Sequence, residues 1–233
     1  MRLDKFISHA TGLSRELARR AIRGRLVEVN SGITKNAALA VTEADTIVLE
    51  GERLELPKAR YLMLNKPEGY VCATEDSDHA TVLDLVSDMD SSGLAIGGRL
   101  DLDSTGLVLL SDDGQWLHRV TAPRHHFPKT YLAQLYQPVD QQLIESFASG
   151  VMLHGESKPT KPAFCRALPD NRAEIVISEG RYHQVKRMFA ACNNKVLTLH
   201  RKQIGAVVLD DTLEPGAYRA LTPGEIASFN HER

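Results

Sequence analysis

The chain has little cysteine, no long hydrophobic run and no glycine-rich phosphate loop, and each absence removes a class of protein. Its 233 residues hold only three cysteines, Cys72, Cys165 and Cys192. They are odd in number and widely spaced, so they supply neither a disulfide framework nor a CxxC metal site. Buried or idle thiols in a reducing compartment are the expectation. No apolar run approaches the ~20 residues needed to cross a bilayer. The opening Met1-Arg2-Leu3-Asp4-Lys5 leads into no apolar segment of the secretory type. A cytoplasmic protein without a membrane partner is therefore expected. There is no internal repeat and no low-complexity tract, and without phosphate-loop or metal-ligand spacing neither a nucleotide cofactor nor a metal is expected.

What is present is enough apolar material for a core, 42% of the residues, and a net charge of −2 that is unevenly spread. Between Met1 and Asn30, Arg2, Lys5, Arg15, Arg19, Arg20, Arg23 and Arg25 face only Asp4, Glu16 and Glu28. The stretches 114–139 and 181–209 contain no acid at all. Acids gather elsewhere, as in Glu75-Asp76-Ser77-Asp78. Such segregation fits basic surfaces on a near-neutral protein, and equally ordinary patchiness.

Residues 1–56 read as a small module. Leu3, Phe6 and Ile7 share a helical face. Ser14 is placed to cap a second helix carrying Leu17, Ala18, Ala21 and Ile22, and Gly24 to end it. Strands follow at 26–29 and 46–49 around the turn residues Asn30-Ser31-Gly32. Arg15, Arg19 and Arg23 recur every fourth residue, a spacing that suits successive RNA phosphates or a solvated face. After a linker at 57–60, residues 61–233 alternate between strands (61–64, 107–110, 130–136, 172–178 and one or two within 196–209) and helices (81–86, 116–120, 140–148 and 183–191). The order predicts an α+β fold on a mixed, mostly antiparallel β-sheet rather than a strict βαβ repeat.

The segment most suggestive of chemistry is Gly97-Gly98-Arg99-Leu100-Asp101-Leu102-Asp103-Ser104-Thr105-Gly106-Leu107. Glycines permit close backbone approach, and so many polar groups between apolar strands are costly to bury without partners. Its Asp-Leu-Asp-Ser-Thr matches the Asp-x-Asp-x-Thr of haloacid-dehalogenase-type phosphatases poorly, because no apolar strand immediately precedes it. A resemblance that spans nearly the whole chain is stronger. Asn65-Lys66-Pro67-Glu68-Gly69, Gly98-Arg99-Leu100-Asp101, Lys129-Thr130-Tyr131 and Glu179-Gly180-Arg181-Tyr182-His183-Gln184-Val185-Lys186-Arg187-Met188 follow one another as the motifs of the ribosomal RNA pseudouridine synthases do. The first 56 residues resemble an S4-type RNA-binding domain. Asp113-Gly114-Gln115-Trp116 and the residues from His183 to Ala190 most closely resemble family members that act on the small ribosomal subunit.

The resemblance implies a cofactor-free isomerase, a monomer acting on a uridine of 16S ribosomal RNA or of an assembling small subunit. A 23S target and a non-catalytic assembly factor are the alternatives. It assigns Asp101 as the essential carboxylate and Tyr131 as a stacking and proton-transfer group. Lys186 becomes the cation beside Asp101, standing where many relatives have Arg, a point charge instead of a fork. Arg99, Lys129, Arg181, Arg187, Arg15, Arg19 and Arg23 are expected to meet RNA. Taken alone, Tyr131 would read as a core aromatic and Lys186 and Arg187 as a solvated face. His183, His125 and His126 show no ligand spacing and read as ordinary polar residues.

Overall fold

The computed structural model describes residues 1–230 apart from 43, 56, 57, 88 and 90. The chain divides into two compact units, Met1–Lys58 and Ala59–Arg233. Of the expected linker 57–60, Pro57 lies outside the described residues. Arg60 is fastened within the second unit, donating from its backbone N–H and its Nε to Asp112, both at 2.8 Å.

The first unit comprises α1 (Leu3–Thr11), α2 (Arg15–Arg23), β1 (Val27–Val29), β2 (Gly32–Ile33), β3 (Ile47–Leu49) and β4 (Glu52–Leu54). Gly12, in the left-handed region, ends α1 by donating its N–H to Ser8 O. The Ser14 hydroxyl accepts from Leu17 N–H and starts α2. Leu3, Phe6 and Ile7 pack with Ala18 and Ile22 against Val27 and Ile47 of an antiparallel sheet ordered β2-β1-β3-β4. Leu17, expected on the apolar face, is exposed, because the buried stripe of α2 is only the i, i+4 pair Ala18 and Ile22.

Asp4 is completely buried, which an isolated carboxylate would not tolerate. Arg2 grips both its oxygens at 3.1 Å, and Arg15 and Arg19 add contacts at 2.8 and 3.0 Å. These guanidiniums, Arg2 foremost, hold the carboxyl well below the usual acidic range against the opposing effect of burial. A depressed folded pKa stabilises fully above the unfolded value of about 4 and is lost as pH falls through the folded one. The full chain should therefore retain this contribution down to about pH 4 and lose it only in stronger acid. Asp4→Asn should lower the thermal midpoint at neutral pH and lose this part of the acid dependence, both read by circular dichroism.

The second unit contains β5 (Tyr61–Lys66), β6 (Ala95–Gly97), β7 (Ser104–Ser111), α3 (Gly114–Thr121), β8 (Lys129–Leu135), α4 (Gln141–Ser149), β9 (Phe164–Leu168), β10 (Arg172–Ile177), α5 (Gln184–Ala191), β11 (Val196–Ile204), β12 (Val207–Val208), β13 (Tyr218–Ala220) and α6 (Pro223–Ala227). The sheet runs β13-β5-β7-β11-β8-β10-β9, with β6 on β7 and β12 on β11. Among the described residues every pair is antiparallel except β7 with β11. The central strands are buried on both faces: Leu62, Leu64, Val108 and Leu110 join one core, while Met63, Leu107 and Leu109 join another with Trp116 and Phe229. That explains the apolar runs at 61–64 in β5 and 107–110 in β7. The helix expected at 81–86 is a run of turns instead. There Asp84 N–H and Val86 N–H reach only three residues back, to Thr81 O and Leu83 O, so tight turns replace the i→i−4 ladder of a helix.

Gly106 marks where β7 and β11 meet most tightly. Its φ is +102°, and a Cβ there would lie 2.4 Å from Arg201 O. Gly106→Ala combines strain with a backbone clash, so we expect a loss of about 3 kcal/mol or more in unfolding free energy, measured by urea titration.

Candidate active site

The loop Gly98–Asp103 joins β6 to β7, and two buried cations hold it from beneath. Lys66, at the end of β5, is completely buried and donates to the carbonyls of Pro67, Leu102 and Ser104 at 3.0, 3.3 and 2.7 Å. Burial lowers its pKa. Arg201 on β11 is 1% exposed and donates to Leu107 O, Arg99 O and Gly98 O at 2.8, 3.2 and 2.7 Å. Cys72 accepts from Leu100 N–H, and Gly69 N–H donates to Leu102 O. Gly98 lies at φ +87°, a left-handed conformation that suits glycine. With its backbone pinned inward, the loop turns the Asp101 and Asp103 side chains outward.

Lys186 and His183 converge on that loop from α5. Gln184, Val185, Met188 and Phe189 bury one face of the helix, Phe189 against Phe147 with ring centres 4.9 Å apart. The remaining face carries Lys186. Its Nζ lies 3.1 Å from Asp101 Oδ2 and 2.5 Å from Asp103 Oδ1. Burial works against the Lys186 charge, but the two carboxylates together outweigh it and raise its pKa. The Lys186 hydrogen bond in turn lowers that of Asp103. His183, at the start of α5, places Nε2 3.3 Å from Asp101 Oδ1. Both carboxylate oxygens of Asp101 thus face nitrogen.

Asp101 and His183 open on a cavity of about 560 Å³, within the roughly 300–1,000 Å³ usual for small-ligand sites. Asp101, Arg99, Lys129, Tyr131 and His183 line it, with Ile177, Val185 and Leu199 as apolar wall. Tyr131 is 7% exposed and flanked on neighbouring strands by Ile175 and Arg201. Its hydroxyl makes no hydrogen bond among the described residues and is not among the buried unpartnered atoms, so it opens to the cavity. Burial, then the nearby Arg201 charge, lowers the Lys129 pKa; its Nζ donates to Phe127 O at 3.1 Å. Arg99 is exposed and makes no ion pair or hydrogen bond through its side chain among the described residues.

The other expected RNA contacts are differently engaged. Arg181 donates to Lys158 O and Pro159 O and pairs with Glu179, while Arg187 holds Glu156, Tyr182 O and His154 O. Both thereby fasten the 154–159 segment to the start of α5. In the first unit Arg15 and Arg19 turn to Asp4 and Arg23 to Glu16 at 3.1 Å, although all three side chains remain 42–63% exposed. Sequence reasoning passed over His183, Lys66's burial and Arg201. The available signal for Arg201 was its inward position two residues after buried Leu199 on a strand. Among the described residues no group of His, Cys, Asp or Glu is arranged to hold a metal ion, and no helix is long and apolar enough to cross a membrane.

Residues 60–191 match the RNA pseudouridylate synthase family and residues 1–47 the S4 domain. The chain is 52% identical over 229 residues to a ribosomal small subunit pseudouridine synthase A of Salmonella typhimurium, covering 98% of this chain and 99% of that one. A protein of the same name from Pasteurella multocida is 51% identical over 231 residues, covering 99% and 100%. A crystal structure of a pseudouridylate synthase superposes with a TM-score of 0.72 at 48% identity, covering 98% and 99%.

Three N–H groups of Arg201 reach three carbonyls that a single ammonium cannot span. Arg201→Lys should therefore lower unfolding free energy by about 2 kcal/mol and speed amide exchange across 98–107, measured by denaturant titration and hydrogen exchange.

Proposed function

Since the chain belongs to the RNA pseudouridylate synthase family and carries an S4 domain, we propose that it isomerises one uridine of 16S ribosomal RNA, free or in an assembling small subunit. The observation that carries this reading is the Asp101 carboxylate held between Lys186 and His183 in a cavity of nucleoside size that Tyr131 also faces. The relatives of matching length are named for the small subunit. A monomer in the cytoplasm suffices, since all the groups named here belong to one chain.

The reaction breaks N1–C1′ of uridine, turns the uracil and joins C5 to C1′. The C5 proton leaves and N1 acquires one. Asp101 acts at the sugar, attacking C1′ or taking the C2′ proton. Either route needs an oriented carboxylate. Lys186 and His183 hold it from two sides, and Asp101 and Asp103 together help keep Lys186 charged. Tyr131 stacks on the base and offers its hydroxyl for proton transfer. A target base within folded RNA must be everted, at a cost of a few kcal/mol. Backbone contacts by Arg99, Lys129 and the outward N–H groups of Arg15, Arg19 and Arg23 offset that cost.

Tritium release from C5-labelled uridine in a 16S transcript tests the reaction. Wild type should release label. Asp101→Asn should slow release on the order of 10⁴-fold, with RNA affinity within a few-fold. Lys186→Met should lower kcat far more than Lys186→Arg does. Binding without release by wild type would identify an assembly factor, and release from a 23S transcript alone would reassign the substrate.

A further inference from the structure

The most exposed large hydrophobic side chain among the described residues stands at the rim of the Asp101 cavity. Tyr182 is 71% exposed and lines that cavity. It does not project freely, because its ring stacks on His183 with centres 3.8 Å apart and planes 20° from parallel. His183 is itself fixed. Its backbone occupies the left-handed region, φ 47° and ψ 34°, which non-glycine residues rarely adopt. Its Nε2 meets Asp101 Oδ1 at 3.3 Å. Arg187 holds Tyr182 O at 3.1 Å, and Gln184 accepts from Arg181 N–H at 2.9 Å. The two rings form a short stack that begins at Asp101 and ends in an aromatic face open to solvent.

We propose that the outer face of Tyr182 is a subsite for a nucleobase adjacent to the uridine that enters the cavity. This deepens the reading of the protein as a uridine isomerase and rests on it. The ring separation is near the roughly 3.4 Å rise between stacked bases, so the pair continues a base stack without adjustment. Everting a uridine leaves its neighbours without a stacking partner, and a pre-ordered ring at the rim replaces it. An ordered ring also loses little entropy on binding, which favours Tyr182 over a flexible side chain for this task. The platform makes affinity depend on what flanks the target, so it contributes to site choice at a position distinct from the uridine itself.

The test pairs substitutions in protein and RNA. Tyr182→Ala removes the ring and Tyr182→Phe keeps it. Both act on an exposed group, and unchanged thermal midpoints would verify the fold. With a 16S stem-loop, Tyr182→Ala should weaken binding and raise KM by roughly 5- to 100-fold, with kcat at saturation within about two-fold, while Tyr182→Phe behaves as wild type. An abasic nucleotide beside the target, placed in turn on the 5′ and 3′ sides, should weaken wild-type binding on one side and abolish the difference between wild type and Tyr182→Ala. Additive losses on both sides, unchanged affinity of Tyr182→Ala, or a fall in kcat at constant KM would overturn the proposal, the last by assigning the ring to holding His183. Affinity is measured without turnover. A silent wild type would therefore refute the isomerase reading alone, and equal affinities with an active wild type would refute the platform alone.

Discussion

Six backbone carbonyls gathered around two buried cations organise this molecule. Lys66 and Arg201 come from strands far apart in sequence, and among the described residues neither forms an ion pair with a carboxylate. A buried charge compensated only by carbonyl dipoles requires those dipoles to converge. The carbonyls of Pro67, Gly98, Arg99, Leu102, Ser104 and Leu107 do so. Asp101 lies between Arg99 and Leu102, whose carbonyls are held in this way, and it lines the cavity. Gly98 and Gly106 make the arrangement sterically possible, the first through its left-handed turn and the second by admitting the Arg201 backbone against β7.

The same principle explains a division of labour among the arginines. Arg2, Arg15 and Arg19 surround a buried carboxylate, and Arg181 and Arg187 bind carbonyls and acids that shape the cavity rim. Guanidinium groups carry several N–H donors in a plane, so one side chain can tie together segments that share no other contact. Arg99 and Lys129 remain beside the cavity, one exposed and the other half-buried. At the centre Lys186 lies between two carboxylates, nearer to Asp103 than to Asp101. The cation is therefore poised by a pair of acids rather than committed to one.

Much of the architecture was legible in the residues. Ser14 and Gly24 marked the ends of a helix, and the strands at 61–64 and 107–110 stood out as apolar runs. The mixed, mostly antiparallel sheet followed from consecutive strands. Leu17 and the turns at 81–86 were misread because a helical pattern does not reveal how wide a stripe its neighbours will cover, nor that the backbone at 81–86 will bond only three residues back. His183 looked ordinary because its significance lies in an oxygen 82 positions earlier.

By itself the sequence determined the family, the order of the motifs, the apolar periodicities and the location of the unusual polar segment, since these depend on residue types close together along the chain. Only the tertiary structure decided which charges cancel inside and which face a ligand. Asp4 and Asp101 are both acids near arginines or lysines in sequence, yet one is sealed beneath three guanidiniums and the other lines an open cavity. Coulomb energy and desolvation depend on distance and on the surrounding medium, and both are properties of the folded chain.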